Sequence, residues 1–405
     1  MDSQRPRRRD DLSFFPVESE GRTVIMIQDQ LGLVEKGQVI SPGLYTLMST
    51  LDGSKSVRDI QLDMMREQGG RLIPLDEIEA LLGKLDSIFL LDSPRYRDER
   101  EKIISSFSAQ DTRNSALDGV SYPEQKESLE ERLEAILAID EAPSPPPGQI
   151  TGLVAPHIDL EAGKNVYSKA YQAIQGIAPK RIIILGVGHS MRKAMFSLTT
   201  KTFETPLGRI KTDEKIVTEL IKAGNTLVSE DDFVHRDEHS IEFQLIFLQH
   251  ILGDIPFSIV PILCGSLIEC LPDYTREAYC AETRDFLMIL EDVAKDDDTI
   301  LIAGVDLSHV GHKFGHDMPA SLMIDQSERH DRELLNCLCA RDADHFWLAS
   351  RDVQDRYNVC GFSALACFLE TLPPGNGQLL GYEIFREAPT SSAVGFAAAL
   401  FTSDP

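Results

Sequence analysis

Ile150-Thr151-Gly152-Leu153-Val154-Ala155-Pro156-His157 is an apolar run that ends at a proline and then presents a histidine. Two later stretches repeat the pattern: Ile182 to Leu185 leads into Gly186-Val187-Gly188-His189, and Thr299 to Val305 into Asp306-Leu307-Ser308-His309. Short apolar runs bounded by turn residues read as buried strands. In an open α/β sheet, side chains just past the carboxyl ends of neighbouring strands converge in one crevice. A fourth turn, Val359-Cys360-Gly361, stands before an amphipathic helix from about Phe362 to Glu370. A helix amino terminus favours a thiolate. Two neutral imidazoles and a thiolate meeting at strand ends make a metal site.

Around these turns the chain alternates strands and helices. Val166, Ala170, Ile174 and Ile177 mark one helix face after His157, and Ile241, Leu245, Leu248 and Ile251 mark another after His239. Ile255 to Leu263 and Ala393 to Phe401 read as further strands. The expected fold is α/β, a three-layer α/β/α sandwich over residues 149–405. Before it, apolar periodicity fades between about Ser105 and Gly148 and ends in Ser144-Pro145-Pro146-Pro147-Gly148. Residues 98–148 therefore read as a linker with one helix inside, Glu127 to Ala138. Residues 12–97 read as a small α+β domain: a strand pair, then short amphipathic helices separated by Asp-Gly and Gly-Gly turns. All ten histidines follow the linker, which puts the chemistry in the second domain.

At 405 residues the chain is long enough for two domains or one large one, and its 42% hydrophobic content is ample for a packed core. A formal charge of -25 argues against nucleic acid and anionic membrane as partners, since no basic field exists to neutralise phosphates. Arg5, Arg7, Arg8 and Arg9 are not followed by an apolar segment, so they read as a disordered tail and not as a secretory signal. No apolar stretch approaches the roughly 20 residues that span a bilayer. The expected location is the cytoplasm. Seven cysteines, an odd number that all fall after residue 263 and form no C-x-x-C pair, fit reduced thiols better than a disulfide framework. A nucleophile elbow, a phosphate-binding loop and a dinucleotide fingerprint are all missing, which removes serine hydrolases, nucleoside triphosphatases and Rossmann dehydrogenases.

Taken together and in order, Ala155-Pro156-His157, Leu185-Gly186-Val187-Gly188-His189, Thr205-Pro206-Leu207-Gly208 with Asp213, Asp237-Glu238-His239-Ser240-Ile241-Glu242, Asp306-Leu307-Ser308-His309-Val310-Gly311 and Val359-Cys360-Gly361 resemble the Memo family. Its bacterial and archaeal members are called AmmeMemoRadiSam system protein B, and its fold is similar to that of the class III extradiol dioxygenases. The resemblance implies iron(II) or copper, with zinc less favoured, held by His157, His189 and Cys360. It also implies radical-SAM and AMMECR-type partner proteins. A thiolate in place of the dioxygenases' carboxylate softens the site and puts ring cleavage in doubt. The sequence departs from the family at Ile158-Asp159-Leu160, where Ala-Gly-Tyr is usual, and at Ser190, where a second histidine is common. Asp159 reads as a helix cap in preference to a ligand. In the first domain, the helix before Leu51-Asp52-Gly53, the helix after it and the closing Leu82 to Leu91 segment resemble PqqD-like winged-helix domains, which implies a peptide or protein partner.

Asp306 and His309 share one turn, and the carboxylate can orient the imidazole as a general base; a capping aspartate with a surface histidine is the plain alternative. His312 and His316 read as solvent-side residues. Glu238 and Glu242 open a helix, where acidic residues oppose the macrodipole, and Glu238 and His239 are also candidates for the pocket wall. Three functions follow: a redox or dioxygen-linked metalloprotein acting on a small molecule, a non-catalytic metal-binding adaptor, or a zinc-dependent hydrolase.

Overall fold

A computed structural model describes residues 5–19, 21–67, 69–139, 147–191, 194–267, 271 and 273–404. Ser144, Pro145 and Pro146 of the expected linker, and Cys270, lie outside the described residues. The chain forms two compact units, residues 1–109 and 110–405.

The first unit is α+β. Strands β1 (Leu12–Ser19), β2 (Arg22–Asp29) and β3 (Val39–Ile40) form an antiparallel sheet in that order. Helices α1 (Pro42–Ser49), α2 (Val57–Glu67), α3 (Leu75–Ser87) and α4 (Pro94–Ser108) follow. Ile25, Ile27, Met48, Ile60, Ile78, Leu85 and Leu90 form its core. Of the arginines expected in a disordered tail, Arg9 is structural. Arg9 is buried and donates to Asp11, Asp29 and the Phe89 carbonyl, because a buried guanidinium needs partners for its donors.

The second unit contains β4 (Thr112–Arg113), α5 (Lys126–Leu137), β5 (Ile150–Ala155), α6 (Leu160–Gln172), β6 (Arg181–Val187), β7 (Phe196–Leu198), β8 (Thr202–Thr205), β9 (Gly208–Thr212) and α7 (Glu214–Gly224). It continues through α8 (Glu242–Leu252), β10 (Ser258–Cys264), α9 (Arg276–Glu282), α10 (Arg284–Ala294), β11 (Thr299–Gly304), β12 (His309–Gly311), α11 (Ile324–Ala340), α12 (Ala343–Val353), α13 (Phe362–Thr371), β13 (Gly375–Glu387) and β14 (Ser392–Ser403). At its centre β5, β11, β6 and β10 lie side by side and parallel.

The three layers follow from strand alternation. Leu153, Ile182, Ile184, Ile259, Ile300 and Ile302 point to one face, which α5, α6 and α8 cover; Val154, Ile183, Leu185, Val260, Leu301 and Ala303 point to the other, under α7, α10, α11 and α13. Because both faces are buried, these strands read as unbroken apolar runs. Among the described residues no helix is long and apolar enough to cross a membrane, and all six described cysteines are free thiols.

The expected linker 98–148 needs correcting on both sides. Its start is the second half of α4, which belongs to the first unit. Residues 110–139 belong to the second: β4 pairs with β8 in the large sheet, and Leu129, Leu133 and Ile136 of α5 are buried. Buried leucines every three or four residues are a packing face, and Arg113 is anchored in the interior.

Candidate metal centre

The strand order β5-β11-β6 decides which side chains meet. Past the end of β5 comes His157, past β11 come Asp306 and His309, and past β6 comes His189, so three turns distant in sequence become neighbours at one edge. Cys360 enters from the turn before α13. That turn approaches closely: a Cβ on Gly361 would lie 2.5 Å from the Asp306 carbonyl oxygen, so the position requires glycine. In return the Gly361 N–H donates to that carbonyl over 3.1 Å, and the Cys360 Sγ lies 3.5 Å from it.

His157, His189 and Cys360 bring one donor atom each within 4.8 Å of one another, a group that can hold a metal ion. The fit is set by what fixes each ring. His157 Nδ1 donates to the Gly304 carbonyl at 2.9 Å, because a carbonyl only accepts; Nε2 is left with its lone pair, 3.7 Å from Cys360 Sγ. His189 Nδ1 lies 3.1 Å from both oxygens of Glu238, which leaves its Nε2 free in the same way. A carbonyl or carboxylate on the far nitrogen is the usual brace of a metal-binding imidazole. His157 is buried at the floor, whereas the His189 side chain is 34% exposed, so the crevice opens on the His189 side.

Glu238 also braces His239, whose Nδ1 lies 3.2 Å from its Oε1. The rings of His189 and His239 are stacked, with centroids 4.9 Å apart and 13° between planes, and His157 stands edge-on to both at 5.0 and 5.1 Å. The carboxylate further accepts the backbone N–H groups of His189, His239 and Ser240. Burial works to raise the Glu238 carboxyl, but His189 and His239 overcome it and hold the group well below the usual range. Burial and the two neighbouring histidines keep His157 neutral, and burial pushes the Cys360 thiol up.

The expected pairing of Asp306 with His309 takes a different form. His309 Nδ1 donates to the Leu307 carbonyl at 2.9 Å, and Asp306 Oδ1 accepts the His157 backbone N–H at 3.0 Å. Asp306 thus holds the His157 turn, with its Oδ2 3.7 Å from His157 Nε2. Burial lowers His309 to about 4 despite the nearby Asp306. Behind this turn, Asp331 on α11 accepts the Ser308 N–H (3.1 Å), the Ser308 hydroxyl (2.5 Å) and, at its other oxygen, the Tyr382 hydroxyl (2.9 Å).

Asp159 caps α6, accepting the Glu161 N–H. His312 is exposed, and His316 is partly exposed, with its Nε2 donating to the Arg356 carbonyl at 2.9 Å. Glu242 is a larger departure: it is fully buried, and it takes Arg113, the Tyr122 hydroxyl and the N–H groups of Ala116 and Leu117. Ser240 and Gln244 were also missed; the Ser240 hydroxyl bridges both polar groups of Val187, and the Gln244 amide donates to the carbonyls of Pro156 and Ser240. The spacing Glu238-x-x-x-Glu242-x-Gln244 carries the only trace of this in the sequence.

An α/β sandwich with a histidine and cysteine group at the carboxyl ends of parallel strands is thus the class that fold and site define. The chain belongs to the Memo family: the model of that family, Memo-like protein, matches residues 113–400. A MEMO1 family protein of Aquifex aeolicus is 31% identical over 401 residues, covering 96% of this chain and 98% of the relative. One of Thermus thermophilus is 27% identical and covers 84% of this chain and 97% of its own length; one of Methanopyrus kandleri, also 27% identical, covers 71% and 98%.

Proposed function

We propose that the protein is a non-haem metalloprotein that holds one iron or copper ion between His157, His189 and Cys360 and acts on a small molecule or dioxygen admitted at the His189 side. The observation that carries this reading is the pair of fixed tautomers. Gly304 and Glu238 each engage an Nδ1, which leaves the two Nε2 atoms as the metal-facing donors, that of His157 lying 3.7 Å from the Cys360 sulfur. Two imidazoles and a thiolate form a borderline to soft donor set that suits copper(I) or iron(II), then zinc, over magnesium or calcium. Such an ion, when bound, supplies electron transfer or Lewis acidity.

The chain's own residues do the remaining work. Asp306 fixes the backbone of His157, and Glu238 fixes His189 and His239 together. His309, neutral through burial and anchored at Nδ1, offers Nε2 as a proton acceptor near Asp306. His239 forms the wall beside His189. The first unit serves as the module that recruits a peptide or partner protein, and radical-SAM and AMMECR-type proteins are candidate partners of the chain as a whole.

The test is the metal content of anaerobically purified protein by mass spectrometry. About one iron or copper per chain is expected, falling at least tenfold in Cys360→Ser and His189→Ala while the far-ultraviolet spectrum is unchanged. A wild-type chain that takes up no stoichiometric metal on reconstitution overturns the reading, and zinc retained under reducing conditions moves it to the hydrolase.

A further inference from the structure

One buried charge pair lies outside the ligand set: Glu242 closes the Asp237 to Glu242 segment, while Arg113 belongs to none of the segments read from the sequence. Arg113 and Glu242 have side-chain exposures of 1% and 0% and form an ion pair. A pair this deep is costly to desolvate and adds little net stability over an apolar pair, so what its remaining hydrogen bonds hold is informative. Arg113 uses its fork on the turn before α8: Nε donates to the His235 carbonyl at 2.8 Å and Nη2 to the Glu238 carbonyl at 2.7 Å. Its guanidinium also sits over the Phe203 ring, 5.5 Å from the centroid. Glu242 in turn is gripped by the Tyr122 hydroxyl and two backbone N–H groups of the same 110–122 segment. The backbone of Glu238 is therefore clamped from behind, while its carboxylate faces forward onto His189 and His239.

We propose that Arg113, locked by Glu242, is a positioning residue of the metal centre: it fixes the Glu238 main chain so that one carboxylate sets the tautomer and angle of both stacked histidines. The proposal deepens the metalloprotein reading and rests on it for the consequence, tighter metal binding. The orientation of the two rings, however, is a property of the metal-free protein.

Arg113→Met with Glu242→Gln removes both charges and leaves no buried ion unpaired. Zinc affinity, by competition with a chromophoric chelator, falls about tenfold or more in this double variant and equally in Glu238→Gln, within the range usual for groups behind a ligand. The triple variant is no weaker than either, because both changes act through one carboxylate. Arg113→Lys keeps the charge but not the fork; it serves if the double variant does not fold, and it also weakens zinc. Imidazole nitrogen chemical shifts of the metal-free protein give the second readout: wild type shows His189 and His239 protonated at Nδ1, and the Arg113 variants show mixed tautomers. Folded variants with wild-type zinc affinity and unmixed tautomers overturn the proposal, as do losses that add to that of Glu238→Gln. A wild-type chain with the Nδ1 tautomers that takes up neither zinc, iron nor copper sinks the metal reading and leaves the clamp standing.

Discussion

Asp331 is a buried carboxyl placed directly behind the turn that carries His309, and burial raises it to about 7 in spite of its hydrogen bonds from Ser308 and Tyr382. The folded state therefore binds a proton that the unfolded chain, with an aspartate near its ordinary value, has already released. The stabilisation is complete below about pH 4 and is lost as pH rises toward about 7. Denaturant unfolding of wild type between these limits should show stability falling with pH from this group, and Asp331→Asn should flatten that part of the slope. An unchanged slope in the variant would assign the pH dependence elsewhere. His157 shows how a residue is legible when its neighbours are: a proline, a strand before it and a second strand-end histidine pointed to it. Arg113 carried no such mark, because its partners lie more than a hundred positions downstream.

At the scale of elements, strands buried on both faces were readable because their apolar runs are continuous, and the α6, α8 and α13 helices because they directly follow such runs or turns. Strand β13 went unread. Gly375-Asn376-Gly377-Gln378 opens it with polar and glycine residues, and most of its positions are half-buried, so neither an apolar run nor a clean alternation announces it. The Cys360 turn gives a prediction at this scale. Gly361→Ala puts a methyl group 2.5 Å from the Asp306 carbonyl and 2.7 Å from Val305 Cβ, so the α13 terminus must retreat from β11. Overpacking of this kind costs about 1–3 kcal/mol. The variant should melt lower and bind metal more weakly than wild type; equal melting and equal metal affinity would show that the turn yields freely.

For the whole molecule, the family match beginning at residue 113 coincides with the first strand of the second unit's sheet. The composition break that suggested a linker was real, but burial of Arg113 and of one α5 face, set by distant partners, decided that the segment belongs inside. A chain beginning at Gln110 should fold and hold metal as the full chain does. One beginning at Lys126 lacks Arg113 and Tyr122 and leaves Glu242 buried without its cation, a loss of about 3–5 kcal/mol. Circular dichroism and metal content of the two shortened chains would distinguish these outcomes, and a stable, metal-loaded shorter chain would contradict this assignment.

The insertion of β11 between β5 and β6 also has a meaning in time. Both histidine-bearing strands emerge from the ribosome early, yet neither has its central neighbour until residues 299–304 follow, and the thiol arrives 203 positions after His157. Contacts this distant form slowly and late. The histidine and cysteine group is accordingly among the last features the nascent chain can complete, and a chain cut short before Cys360 has paired strands and both histidines without the thiol.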